Sequence, residues 1–142
     1  MTPVSLTERP PRSPRKSAGG ITFLPRTIDK ARASLPGGTL GDYKLTGLSG
    51  RMLDLLGISE DRFVSAVEAA ADDDAVAAWV KEQTTPEKIN EWNAFVAGFI
   101  PRGGDRALIQ EAFPWLAPDT QQSLLALDLL PEDDRRAFHR PD

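Results

Sequence analysis

No cysteine occurs in this chain, which excludes disulfides, zinc–thiolate sites and cysteine nucleophiles. The single histidine, His139, stands three residues before the last, Asp142. A two-histidine metal site and a Ser-His-Asp triad with a buried base are therefore not expected, and no metal or other cofactor is called for. No apolar run approaches the roughly 20 residues of a membrane span. The N-terminus is basic but has no apolar signal core, so a soluble, cytoplasmic protein without membrane contact is expected. Strand patterning is nearly absent: Asp42 to Thr46 is the one candidate, too short to make a sheet alone. Neither the Walker-type G-x-x-x-x-G-K-S/T nor G-x-G-x-x-G is found, and Gly37-Gly38 reads as a helix stop.

The charge that is present is unevenly spread. The chain's net charge is −4, from 17 basic and 21 acidic groups. Residues 1–20 hold Arg9, Arg12, Arg15 and Lys16 against Glu8, leaving 13 basic and 20 acidic groups for the remainder. The acidic body argues against nucleic-acid binding. Residues 1–20 also hold Pro3, Pro10, Pro11 and Pro14 and end in Gly19-Gly20, a composition expected to stay disordered. The segment reads as a flexible basic tail, with Ser13-Pro14 as a candidate modification site and a protein partner as its candidate target.

Residues 21–142 read as one helical domain. Thr27 is a candidate N-cap, followed by Ile28, Ala31 and Leu35 on one stripe. Leu48, Met52, Leu55 and Leu56 repeat at helical spacing, with Gly57 as C-cap. Ser59 caps a helix carrying Phe63, Val67 and Ala70. Asp72-Asp73-Asp74 opens another with Val76, Trp79 and Val80; its spacing does not fit a calcium loop. Thr85-Pro86-Glu87 starts a helix with Ile89, Trp92, Val96 and Phe99 on one side. Asp105 and Asp119 precede two more stripes, the second with Leu124, Leu127 and Leu130, and Pro131 begins a last short helix. The expected fold is all-α, a compact irregular bundle of about seven to eight short helices with a disordered basic N-terminal tail.

Several short motifs then occur in order: Leu24-Pro25-Arg26-Thr27-Ile28-Asp29-Lys30-Ala31-Arg32-Ala33, Leu40-Gly41-Asp42-Tyr43, Leu55-Leu56-Gly57-Ile58 and Trp92-Asn93. Together they resemble the bacterial family known as domain of unknown function 5069, over roughly residues 22–140. The resemblance implies a small, mainly helical bacterial domain and assigns no activity, cofactor or catalytic residue. Asp42 stands where the family more often has Glu.

The densest group of chemistry-bearing residues lies at the first helix and the loop after it. Arg26, Asp29 and Lys30 share a face if that helix starts early, and Asp29 and Arg32 are i, i+3 neighbours. An Arg fork matches a carboxylate and a Lys adds a point charge, so Arg26, Asp29, Lys30 and Arg32 are candidate ligand-binding residues for a small anion. Asp42 and Tyr43 are candidate catalytic residues, base and donor, closing the site from the loop. The alternative is a surface helix with internal ion pairs. Arg102-Gly103-Gly104-Asp105-Arg106 is a weaker anion candidate, because Asp105 would cap the same N–H groups. Trp92 is expected in the core and Asn93 tied to a nearby loop, though both are also candidate ligand contacts.

Three functions follow from these residues. The first is binding of a small anionic metabolite at Arg26, Lys30, Asp42 and Tyr43, with or without cofactor-free acid–base catalysis. The second is a protein-interaction module using residues 1–20 and a Trp115 surface. The third is an enzyme of a specialised biosynthetic pathway, holding a small apolar substrate against Trp92. The ligand, the reaction and the oligomeric state are not legible.

Overall fold

The computed structural model describes residues 1–116 and 123–138. A two-residue hairpin, β1 (Ser17–Ala18) and β2 (Ile21–Thr22), comes first. Gly19 and Gly20 turn it with φ of 57° and 78°, a type I′-like geometry that residues with a Cβ resist. Seven α-helices follow among the described residues: α1 (Leu24–Ala33), α2 (Leu48–Leu56), α3 (Glu60–Ala69), α4 (Asp73–Gln83), α5 (Pro86–Ala97), α6 (Arg106–Ala112) and α7 (Ala126–Phe138). The fold is all-α in substance, as its sequence pattern predicts.

Local chemistry accounts for most helix ends. Ser59, Asp72, Thr85 and Asp105 each accept a hydrogen bond from a backbone N–H in the first turn of α3, α4, α5 and α6. Gly57 closes α2 at φ 76°. Arg102-Gly103-Gly104 forms a tight 3-10 turn, and Asp105 takes the Ala107 and Leu108 N–H groups. Asp42 to Thr46 is not a strand. The helix start expected at Asp119 and the solvated His139 lie outside the described residues.

Two helix expectations are corrected. α1 begins at Leu24, not after Thr27: its N-cap is Phe23 at φ 77°, and Thr27 Oγ1 bonds back to the Phe23 carbonyl at 3.2 Å. The early start brings Pro25 into the first turn, where its missing N–H costs nothing. At the other end Pro131 lies inside α7 rather than starting a separate helix. Leu129 and Asp134 on this one helix are both buried.

α1 is the central helix, and every residue of it except Arg32 is buried. Around it Phe23, Ile28, Met52, Leu56, Phe63, Val67, Val80, Trp92 and Val96 form one core. Phe23 meets Trp92 edge to face, 6.1 Å between centroids. A second cluster, Ile109, Phe113, Leu116 and Leu129, joins α6 to α7.

The disorder expected for residues 1–20 is not what the structure shows. Leu6, Pro11, Pro14 and Ala18 are buried. Leu6 donates to the Thr39 carbonyl at 2.8 Å, and Thr39 returns a bond to Val4 at 3.1 Å. The segment is a strap against its own body. Its prolines lower the entropy lost on ordering, and its arginines meet the body's acidic groups, so composition alone overstates the ordering cost.

Candidate functional site: a cleft beside the first helix

Because α1 is central, its charges are not a solvated face. Arg26, Asp29 and Lys30 are all buried, and a buried charge is costly unless it is paired. The three meet this demand differently.

Arg26 is paired across the molecule with Asp134 of α7. Nη1 donates to Oδ2 at 2.7 Å and Nη2 to Oδ1 at 3.3 Å. Tyr43 closes the group, its hydroxyl donating to Asp134 Oδ1 at 2.8 Å. Burial, followed by the bond to anionic Asp134, pushes the Tyr43 phenol well above its ordinary range, so it stays protonated. The Tyr43 ring stacks on Phe138 at 6.4 Å, and the Arg26 guanidinium lies 5.6 Å from the Tyr43 centroid.

Asp29 turns the other way, to the strap. It accepts from the Arg12 backbone N–H at 2.8 Å and from the Arg12 guanidinium at 3.0 to 3.2 Å. The same guanidinium bonds Asp73 at the start of α4, at 2.5 and 3.0 Å. That contact holds the Asp73 carboxyl below its usual value and raises the guanidinium's. Arg32 is also on this side, with Nε to the Thr2 carbonyl at 2.8 Å.

Lys30 has neither solution. Only 8% of it is exposed, yet among the described residues its ammonium has no hydrogen-bond acceptor and no carboxylate within salt-bridge distance. Its neighbours are the Phe23 ring, 5.9 Å from Nζ to centroid, and Arg26 one turn earlier. Burial, aided by the Arg26 charge and only partly opposed by Asp134, lowers its pKa to about 8.

Lys30 and Arg26 form part of the wall of an open cleft of about 860 Å³. The loop supplies Asp42, Tyr43 and Lys44; the strap supplies Leu6 and Thr7; α7 supplies Leu130, Asp133, Asp134 and Phe138. The start of α2 completes it with Gly47 and Leu48. No side chain caps that helix, and its first turn holds no acidic residue, so the positive end of its dipole is left uncompensated at the cleft.

The structure thus brings Arg26, Lys30, Asp42 and Tyr43 together and separates them from Asp29 and Arg32. Trp92 and Asn93 lie elsewhere. Trp92 is fully buried, with Nε1 donating to the Thr22 carbonyl at 2.8 Å. Asn93 accepts from Thr22 N–H at 3.0 Å and donates to the Gly20 carbonyl at 2.8 Å, tying the hairpin rather than the Asp42-Tyr43 loop. Trp115 packs edge-on against Phe113, lies 5.0 Å from the Arg136 guanidinium and donates to Asp133 at 2.9 Å.

Sequence reasoning missed Asp134, Gly47 and Phe23. Asp134 had a signal: with Leu127 and Leu130 it falls at i, i+3, i+7, a carboxylate on an apolar stripe. Phe23 shows nothing in sequence of its left-handed backbone, which for a bulky residue costs about 1–3 kcal/mol. Its N–H bond to the Lys16 carbonyl at 2.9 Å and its packing on Trp92 hold it there.

The profile of a family described as a domain of unknown function, DUF5069, matches residues 8–136. The chain belongs to that family. The DUF5069 match extends further toward the N-terminus than the motif resemblance, taking in most of the strap with Arg12. It also reaches past Asp134, so both ion-pair partners of α1 lie inside it. No curated protein matches the chain. Among the described residues no helix is long and apolar enough to cross a membrane, and no group of three or more His, Asp or Glu could hold a metal ion.

Proposed function

We propose that this DUF5069 domain binds a small anionic organic molecule in the cleft between α1, the Asp42-Tyr43 loop, α2 and α7. One observation carries the reading: Lys30, 8% exposed, has an ammonium that makes no hydrogen bond or salt bridge to a described residue, on the wall of a cleft of ligand size. A ligand carboxylate or phosphate would supply the missing partner. The uncapped start of α2, lining the same cleft, adds a second attraction for an anion. Arg26 is not the anion's main anchor, because Asp134 engages its fork; its Nε, buried and without an acceptor among the described residues, remains to be satisfied.

The rest of the ligand would rest on carbon. Phe23, Leu48, Leu130 and Phe138 line the cleft, and the Tyr43–Phe138 stack forms a flat apolar wall. Tyr43, held protonated, serves as a fixed hydrogen-bond donor better than as a general acid. Asp42 is exposed and takes no bond from a described residue, which suits a base only after a ligand orders it.

The test is a thermal-shift screen with small mono- and dicarboxylates and phosphate esters, on wild type, Lys30→Met and Arg32→Ala. A ligand at a hundred times its dissociation constant adds about 2.7 kcal/mol. The reading expects a response that Lys30→Met abolishes and Arg32→Ala keeps. Equal responses in wild type and Lys30→Met, or no response to any member of the panel, would overturn it.

A further inference from the structure

We infer that Lys30 is a carbonyl-reactive amine, and that the cleft's ligand is a small oxo acid condensing with it as an imine. This rests on the anion-binding reading and narrows its ligand class. A lysine that serves only to hold an anion gains nothing from losing its hydration and its carboxylate partner. A lysine that attacks carbon needs both losses, since attack requires the neutral amine with its lone pair free.

The surroundings of Lys30 provide this. Arg26, fixed by Asp134, places a permanent positive charge one helical turn away, and the Phe23 ring covers one side in place of water. The other titratable groups lining the cleft are Asp42, Tyr43, Lys44 and Asp133, none of them bonded to Lys30. With its pKa at about 8, Lys30 holds a far larger neutral fraction near neutrality than an ordinary lysine. Once the amine is committed to carbon, the ligand's carboxylate is left to the start of α2 and the Lys44 side.

The step balances without a redox partner. The Nζ lone pair forms a C–N bond to the carbonyl carbon, and the C=O π pair moves to oxygen. A proton passes from nitrogen to that oxygen through cleft water, giving a carbinolamine. A second proton, taken up from solvent, joins the hydroxyl as the nitrogen lone pair expels it, so water leaves and the product is the protonated imine. The positive charge ends on Nζ, where Asp134, beyond salt-bridge distance, favours a cation through space.

The experiment is reductive trapping of the full chain. Wild type, Lys30→Arg and Lys88→Arg are treated at pH 7 with pyruvate, acetoacetate or succinic semialdehyde and cyanoborohydride. Lactate serves as an anion without a keto or aldehyde group. Intact mass and peptide mapping then read the adduct. With at least one oxo acid, Lys30 is expected to be labelled at least about tenfold faster than Lys16, Lys44, Lys81 and Lys88, since its neutral fraction is larger. Lys88→Arg, outside the cleft, should keep the label and Lys30→Arg lose it. Equal labelling across the lysines, or no adduct, overturns the imine. In that case thermal shift with lactate and pyruvate decides the rest: a response lost in Lys30→Met leaves the anion site standing, and no response removes both.

Discussion

Arg26 on α1 and Asp134 on α7, 108 positions apart in sequence, form a buried ion pair that Tyr43 completes from a third segment. The pair is nearly inaccessible, with side-chain exposures of 3% and 8%. It spans one wall of the cleft, so the geometry of the candidate site depends on a polar contact between distant parts of the chain. Replacing either partner leaves the other charged and enclosed, a larger loss than the pair's own net contribution.

Asp134→Ala is therefore expected to destabilise the domain by about 3–5 kcal/mol. Tyr43→Phe removes one hydrogen bond and keeps the ring stack, so about 1 kcal/mol is expected. The double change Arg26→Met with Asp134→Leu should cost less than Asp134→Ala alone. Urea denaturation of the variants checks all three. Additive losses in the double variant would mean the two residues are not coupled as described.

Arg12 makes a comparable prediction for the strap. Its guanidinium joins α1 to α4 through Asp29 and Asp73, and its backbone N–H also bonds Asp29. Arg12→Ala is expected to lower stability by about 1–3 kcal/mol, because Asp29 is left largely buried without its cation. Arg15, more than half exposed on Asp128, should matter by no more than about 1 kcal/mol when changed to Ala. Limited proteolysis adds an independent readout: cleavage within residues 1–20 should speed up in Arg12→Ala and not in Arg15→Ala. Equal protease resistance in wild type and Arg12→Ala would show that the strap is held by its apolar contacts alone.

Asn93 separates structure from site. It satisfies the Thr22 N–H and the Gly20 carbonyl at the hairpin, with Trp92 bonding the Thr22 carbonyl beside it. Asn93→Ala is expected to cost about 1–3 kcal/mol through the orphaned backbone groups. It should leave the ligand response of the cleft unchanged once stability is allowed for. A ligand response lost together with Asn93 would move the site toward the hairpin.

Most helices were legible because their ends are decided locally. Ser59, Asp72, Thr85 and Asp105 sit where their side chains reach first-turn N–H groups, and such contacts do not depend on the rest of the fold. The start of α1 was not legible, because it is set by Phe23, held in a strained backbone by packing on Trp92 nearly seventy positions later. The strap failed for a related reason. Its proline and arginine content signals disorder only if no acidic partner is waiting, and Asp29 and Asp73 are such partners. At the site, the right cluster of residues was visible while their division was not. Arg26 and Lys30 share one face of α1, and Asp29, next to Lys30 in sequence, turns to the strap. Which of the two cations keeps a carboxylate depends on Asp134, far along the chain.

Lys30 gives the prediction with the clearest sign. Its pKa of about 8 in the folded domain lies below the ordinary 10.5, so between those values the unfolded chain holds more protons than the folded one. Stability must then rise with pH across that window. Below pH 8 the amine is charged in both states and the full cost of burying it is present, about 3 kcal/mol at most from the gap between the two values. Lys30→Met keeps an unbranched side chain one atom shorter and removes the charge. It is expected to raise stability at pH 7 by about 1–3 kcal/mol, with the gain shrinking through pH 8 to 10.5 and vanishing above. Arg26 and Asp134 remain paired in both proteins, so their contribution cancels in the comparison. Denaturation of wild type and Lys30→Met at pH 7, 9 and 10.5 measures the difference. A gain that persists unchanged at pH 10.5 would trace to packing rather than charge. A loss at pH 7 would mean that Lys30 already has a counter-ion in the protein, and the case for a ligand anion would fall with it.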